Sequence, residues 1–134
     1  MAVKNFFIHY WKSIIFTCCI LYLSFAPPST FKGVPTFENE DKLVHLFLYF
    51  ALTCILIFDF RQHAGQKHKK EFSFISVCIL LPIILGGAVE ILQPMYFAPR
   101  TAEWFDWFSD TAGVLFGWYV INLITRKISK RNRV

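Results

Sequence analysis

The residues of this chain with the capacity for chemistry form a short ordered series of ionisable side chains. Asp41, Lys42 and His45 come first, then Glu90 and Gln93, then Arg100, Glu103, Asp106 and Asp110. Asp41 and His45 are four apart, as are Asp106 and Asp110, so each pair shares one face of a helix. His45 is a candidate general base with Asp41 orienting it. Glu90 or Asp110, partly withdrawn from water, is the candidate acid. A binding role uses the same set differently: Lys42 and Arg100 meet a phosphate or carboxylate, the planar fork of Arg100 suiting two-point contact. Gln93 and Asp106 add hydrogen-bonding capacity beside them. A third possibility is a network of ion pairs that locks helices together with no ligand at all.

The elements that must position these residues are apolar helices. Charged residues make up 17% of the 134 positions and hydrophobic ones 55%, against roughly 25% charged in ordinary soluble domains. Residues 13–31, 72–89 and 111–125 carry no charge, and 43–58 has only His45 as an ionisable group. A soluble helical bundle needs a charged face on each helix, and these segments have none. About 20 apolar residues cross the hydrocarbon, which predicts four spans near 6–26, 43–60, 72–93 and 104–125, bounded by Pro27-Pro28, the polar stretch 61–70, Pro94 and the basic tail. The expected fold is an all-α membrane bundle in a single domain. Lys4 and Lys12 before an apolar run ending in Ser24-Phe25-Ala26 outline a secretory signal. Pro27 directly after Ala26 argues against cleavage, so a retained first helix is expected.

Lysine and arginine set the orientation, because cytoplasmic loops carry the excess. Eleven of the 14 basic residues fall in the N-terminus, the 61–70 connector and the tail, while Lys32, Lys42 and Arg100 lie in the other two loops. Both ends are therefore expected in the cytoplasm. The acids run the other way: Glu38, Glu40, Asp41, Glu90, Glu103, Asp106 and Asp110, seven of nine, belong to the outer side. At about 1.5 Å per residue, His45 lies roughly 6 Å below Asp41 and Asp110 roughly 10 Å below Glu103. Glu103, Asp106, Asp110, Gly113 and Gly117 fall on one stripe of the last helix, acidic above and glycine below. Those glycines admit a neighbouring backbone, either within the chain or across a dimer. Pro82 and Gly86-Gly87 are expected to bend the third helix or to let another approach.

The series Asp41-Lys42-Leu43-Val44-His45 opening one span, Glu90-Ile91-Leu92-Gln93 closing the next, and Arg100, Asp106, Asp110 and Gly113 entering the last resembles the VanZ-like family over roughly residues 38–125. Many members of that family carry Asn where this chain has Asp110. The resemblance implies a multi-pass protein of the bacterial cytoplasmic membrane. The family is named after an accessory protein of glycopeptide-resistance clusters associated with tolerance to teicoplanin, and no settled activity comes with the name. What it implies is a cell-envelope accessory function, the outer crevice engaging a lipid-linked precursor or a lipoglycopeptide. An intramembrane enzyme acting on a phosphorylated or acylated lipid, and a purely structural network, remain open beside it.

Other features carry plainer readings. Trp104, Trp107, Tyr96 and Phe97 fit the aromatic belt of a membrane edge or a ligand platform. Cys18, Cys19, Cys54 and Cys78 lack zinc or disulfide spacing and are expected to be small buried hydrophobes. His63 and His68 belong to a solvated basic connector. No metal or other cofactor is expected. The net charge of +5 sits beside apolar runs, which favours contact with anionic membrane lipid over nucleic acid.

Overall fold

The computed structural model describes residues 2–26, 40–64, 71–96 and 101–131. These are helical apart from Ala26 and residues 101–103, with no strand among the described residues. The elements are α1 (Ala2–Phe25), α2 (Glu40–Ala64), α3 (Glu71–Ile75), a π-helical turn (Ser76–Leu80), α4 (Leu81–Tyr96) and α5 (Trp104–Arg131). The middle three follow without a break, so residues 71–96 form one long helix with a widened turn.

That widened turn has a local cause in Pro82. Proline lacks the N–H that would reach back to Cys78, and its ring crowds the carbonyl there. Leu81 N–H instead donates to Ser76 C=O, five residues back, and Pro82 itself is fully buried. Pro94 does not end its helix as expected, because α4 continues to Tyr96. A proline in the last turn removes one hydrogen bond, which the remaining two residues survive.

Three helical segments are long and apolar enough to cross a membrane: Phe7–Phe25, Glu40–Gln62 and Ser73–Tyr96. The large apolar side chains on them point outward, Phe47, Phe58, Ile84 and Met95 among them. The interior holds a small apolar cluster of Ile20, Tyr49, Leu52, Leu56, Ile57, Cys78 and Val114, together with Ser13, Thr53, Asp59, Glu90, Gln93, Asp106 and Asp110. Buried polar groups beneath an apolar outer surface are the arrangement that a membrane-embedded protein needs. Cys18 and Cys19 depart from expectation, lying exposed on the outer face of α1, whereas Cys78 is buried and Cys54 half-buried.

Helix directions follow from the cross-contacts. On α2 and α5, His45 meets Asp110, Phe50 meets Gly113 and Gly117, and Arg61 meets Asn122 and Thr125, so the two run parallel. Ser24 of α1 meets Gln93 of α4 at the end where His45 lies, while Ser13 meets Asp59 at the opposite end. The bundle thus alternates direction from helix to helix and has a His45 end and an Asp59 end.

The α2–α5 seam is built on glycine. A Cβ on Gly113 would collide with Leu46 C=O and reach 3.0 Å from Phe50 N, and one on Gly117 would lie 2.9 Å from Phe50 C=O. The glycine stripe therefore serves packing within the chain. It brings the acidic half of α5 directly against the first turns of α2.

Candidate functional site

Three helices deliver the polar residues of the His45 end to one place. Asp41, Lys42 and His45 stand on the first two turns of α2, Glu90 on the penultimate turns of α4, and Asp106 and Asp110 on the first two turns of α5. Glu103 lies immediately before α5. Close approach of α4 to α5 is again set by glycines. A Cβ on Gly86 would sit 2.5 Å from Asp110 Oδ2, and one on Gly87 3.2 Å from Trp107 Nε1.

The rim of the site is organised by Lys42. Its ammonium lies 3.1 Å from Asp41 Oδ2, 3.2 Å from Glu103 Oε2 and 3.6 Å from Asp106 Oδ1. Lys42 is thereby occupied with three carboxylates and is not a free cation waiting for phosphate. Glu90 Oε2 accepts the backbone N–H of Glu103 at 3.1 Å, which ties the end of α4 to the chain entering α5.

Below the rim stands His45. Its Nδ1 lies 2.9 Å from Asp110 Oδ1 and its Nε2 4.0 Å from Asp106 Oδ2. The orienting carboxylate of His45 is thus Asp110, not Asp41. The physical reason is the glycine seam: α5 packs close enough for its acid to reach the imidazole, whereas Asp41 stays half exposed and pairs with Lys42. A proton on Nδ1 is donated to Asp110 Oδ1, and Nε2 pairs with Asp106 across 4.0 Å only when it too is protonated.

The interior of the site is rich in acid and poor in partners. Glu90 and Asp110 are each 1% exposed and Asp106 8%. Glu90 Oε1, Asp106 Oδ1, Asp110 Oδ2 and the hydroxyl of the buried Tyr49 have no hydrogen-bond partner among the described residues. Tyr49 lies one turn beyond His45 on α2, within electrostatic reach of Asp110 and Glu90.

Other expected site residues are placed differently. Gln93 is buried, and its Nε2 donates 2.9 Å to Ser24 C=O, satisfying one of the carbonyls that a helix end leaves free. Its amide serves to join α1 to α4. Trp107 Nε1 donates 3.0 Å to Ile83 C=O and packs edge to face on Trp104, with ring centroids 6.1 Å apart. Trp104 and Tyr96 remain open to the surroundings. Arg100 and Phe97 lie outside the described residues, as do Glu38 and His68.

At the opposite end a second polar cluster escaped the sequence reading. The backbone of α1 leaves helical geometry at Tyr10 (φ −110°, ψ 18°), and the helical segment that restarts there has unpaired N–H groups. Ser13, three residues on, donates from its N–H (3.2 Å) and its hydroxyl (2.7 Å) to Asp59 Oδ2. Lys12 Nζ lies 3.8 Å from Asp59 Oδ1 and 4.7 Å from the centre of the Phe58 ring. The signal available in the sequence was one acid between two phenylalanines at the close of an apolar run. Tyr49, buried in the middle of its span, carried no such signal.

Comparison of the chain with models of known protein families, with curated proteins and with solved structures gave no match.

Proposed function

We propose that the chain is a VanZ-like accessory protein of a bacterial cytoplasmic membrane, whose crevice at the His45 end opens on the outer side and engages a lipid-linked or lipoglycopeptide component of the cell envelope. The observation that carries this reading is the convergence of Asp41, Lys42, His45, Glu90, Asp106 and Asp110 from three helices. These are the residues of the VanZ-like pattern, gathered at one end of the bundle. Ionisable groups within membrane-spanning segments are rare and mark functional sites more often than chance, and several of them converge here.

α5 is read as the fourth span. Its 28 residues reach about 42 Å at 1.5 Å each, and it lies parallel to α2 from His45 to Arg61, sharing the depth of a helix apolar enough to cross. Asp106 and Asp110 are buried against α2 and α4, Asn122 accepts from Arg61 of α2, and the hydroxyls of Ser109 and Thr111 donate to Phe105 and Trp107 C=O within α5 itself. Both chain ends are read as cytoplasmic because the basic residues concentrate there and in the 61–70 connector.

Ligand recognition in this crevice favours a donor-rich or cationic portion of the envelope component at Asp106 and Asp110, since Lys42 is already engaged. Arg100 is the remaining candidate for a phosphate. The second reading, an intramembrane enzyme on a phosphorylated or acylated lipid, is favoured by one observation: the 2.9 Å contact of Asp110 with His45 Nδ1, which orients an imidazole as a general base requires.

The test is retention of envelope lipids by the purified full-length chain, read by mass spectrometry, beside Arg100→Ala and Asp106→Asn proteins of equal folded yield. Selective loss of one lipid class in the variants is the expected result. Equal retention by all three proteins removes the reading. Consumption of the retained lipid, lost in His45→Ala, selects the enzyme. Reporter fusions at both termini that read outside the cell overturn the orientation.

A further inference from the structure

The rim and the floor of the site hold two clusters of ligand atoms, three carboxylates at the rim and two carboxylates with an imidazole at the floor. At the rim, ligand oxygens of Asp41, Glu103 and Asp106 lie within 4.8 Å of one another, and Lys42 sits among them. At the floor, His45, Glu90 and Asp110 likewise present one ligand atom each within 4.8 Å of one another. No lysine or arginine among the described residues pairs with Glu90 or Asp110. Glu90 and Asp110 are both fully buried, and one oxygen of each is without a hydrogen-bond partner among the described residues. The hydroxyl of the buried Tyr49, one turn beyond His45 on α2, is likewise without a partner among the described residues. Buried oxygens of this kind are costly unless hydrogen-bonded or bound to a cation.

We propose that His45, Glu90 and Asp110 bind a divalent first-row transition-metal ion of the zinc or manganese class at the floor of the site. One imidazole nitrogen with two carboxylate oxygens suits that class better than magnesium or calcium, which favour all-oxygen sets. Ligands about 2.1 Å from such an ion stand roughly 3 to 4 Å from one another, so the three groups need only a small contraction, and the proton between His45 and Asp110 is released to solvent as the ion takes its place. Each ligand comes from a different helix, α2, α4 and α5, and the ion would clamp all three. For that reason no motif in the sequence announces it. Gly86 permits the clamp, because a side chain there would meet Asp110 Oδ2 at 2.5 Å. The inference does not depend on which envelope component the crevice engages.

The test uses the full-length chain in detergent, stripped by chelator, dialysed against Zn²⁺ or Mn²⁺ and analysed for metal content. One equivalent per chain is expected, with at least tenfold weaker binding in Glu90→Gln and Asp110→Asn and unchanged binding in His63→Ala/His68→Ala. Binding that survives both acid variants, or that disappears with the connector histidines, overturns the proposal. If the acid variants do not fold, Co²⁺ in the wild-type chain decides. Weak d–d bands without thiolate charge transfer support the site, while a thiolate band or no uptake at micromolar Co²⁺ overturns it. A chain that takes up the ion but retains no envelope lipid keeps this proposal and removes the previous one.

Discussion

The two ends of the bundle bury carboxylates in opposite ways. At the Asp59 end a single acid receives a backbone N–H, a hydroxyl and a nearby ammonium, and Arg61 finishes on Asn122 and Thr125. At the His45 end, Glu90, Asp106 and Asp110 are buried together and share one imidazole, one backbone N–H and the rim ammonium of Lys42. An acid supplied with local donors stabilises the fold it belongs to, while acids left short of donors cost stability and are kept for something outside the chain. The difference separates a structural joint from a site.

The contrast is most exposed to substitution of the two deepest acids. Asp59→Ala leaves Ser13 N–H and Lys12 without their acceptor beside a broken helix, and is expected to cost about 3 kcal/mol, the scale of breaking a buried pair. Asp110→Asn keeps an acceptor for His45 Nδ1 and removes one of several crowded negative charges, so its effect is expected within about 1 kcal/mol. Unfolding of each protein in mixed detergent micelles, followed by circular dichroism, measures both. Equal losses at the two ends would erase the distinction.

Next in size is the glycine seam, which serves both ends at once. Gly113→Ala drives a methyl into Leu46 C=O, and overpacking of this kind costs about 2 kcal/mol. Gly86→Ala presses instead on a single carboxylate oxygen of Asp110, and its effect should fall on the site before the fold. Metal content and unfolding midpoint, read on both variants, should therefore change in opposite proportion. A smaller effect is expected at Gln93, whose replacement by Leu gives up one hydrogen bond to Ser24 C=O, about 1 kcal/mol, with ligand and metal binding unchanged.

Much of this contrast could be read from the chain before the fold. The charge-free runs locate the helices, and Asp106, Asp110, Gly113 and Gly117 turn inward on α5 as their stripe predicts, whereas Glu103, counted on the same stripe, lies before the helix and stays exposed. Spacing within one helix is local, so it survives folding. Pairing between helices is not. Asp41 stands at the right interval to hold His45, yet Asp110 does so, because the glycines let α5 approach more closely than the next turn of α2 can reach. Asp59 eluded the sequence for a related reason: its donors exist only where α1 departs from helical geometry at Tyr10, and no residue pattern there announces a break. Pro94 misled in the other direction, since its last-turn position costs one hydrogen bond and leaves the helix running to Tyr96.

The finest test of the comparison lies at the rim of the His45 end. Lys42 holds Asp41, Glu103 and Asp106 at 3.1, 3.2 and 3.6 Å, so the rim carries its own cation as the Asp59 end carries Lys12. Pairs this open to solvent contribute little to stability, and Lys42→Gln should leave the unfolding midpoint where it was. The same change frees three oxygens that already lie within 4.8 Å of one another. A second, weaker equivalent of divalent cation should then be taken up, sensitive to Asp41→Asn and insensitive to Glu90→Gln. Were metal content to stay the same in the Lys42→Gln protein, crowding of carboxylates alone would not be enough to attract an ion. The floor would then owe its affinity to His45 and to depth, since those are what the rim lacks.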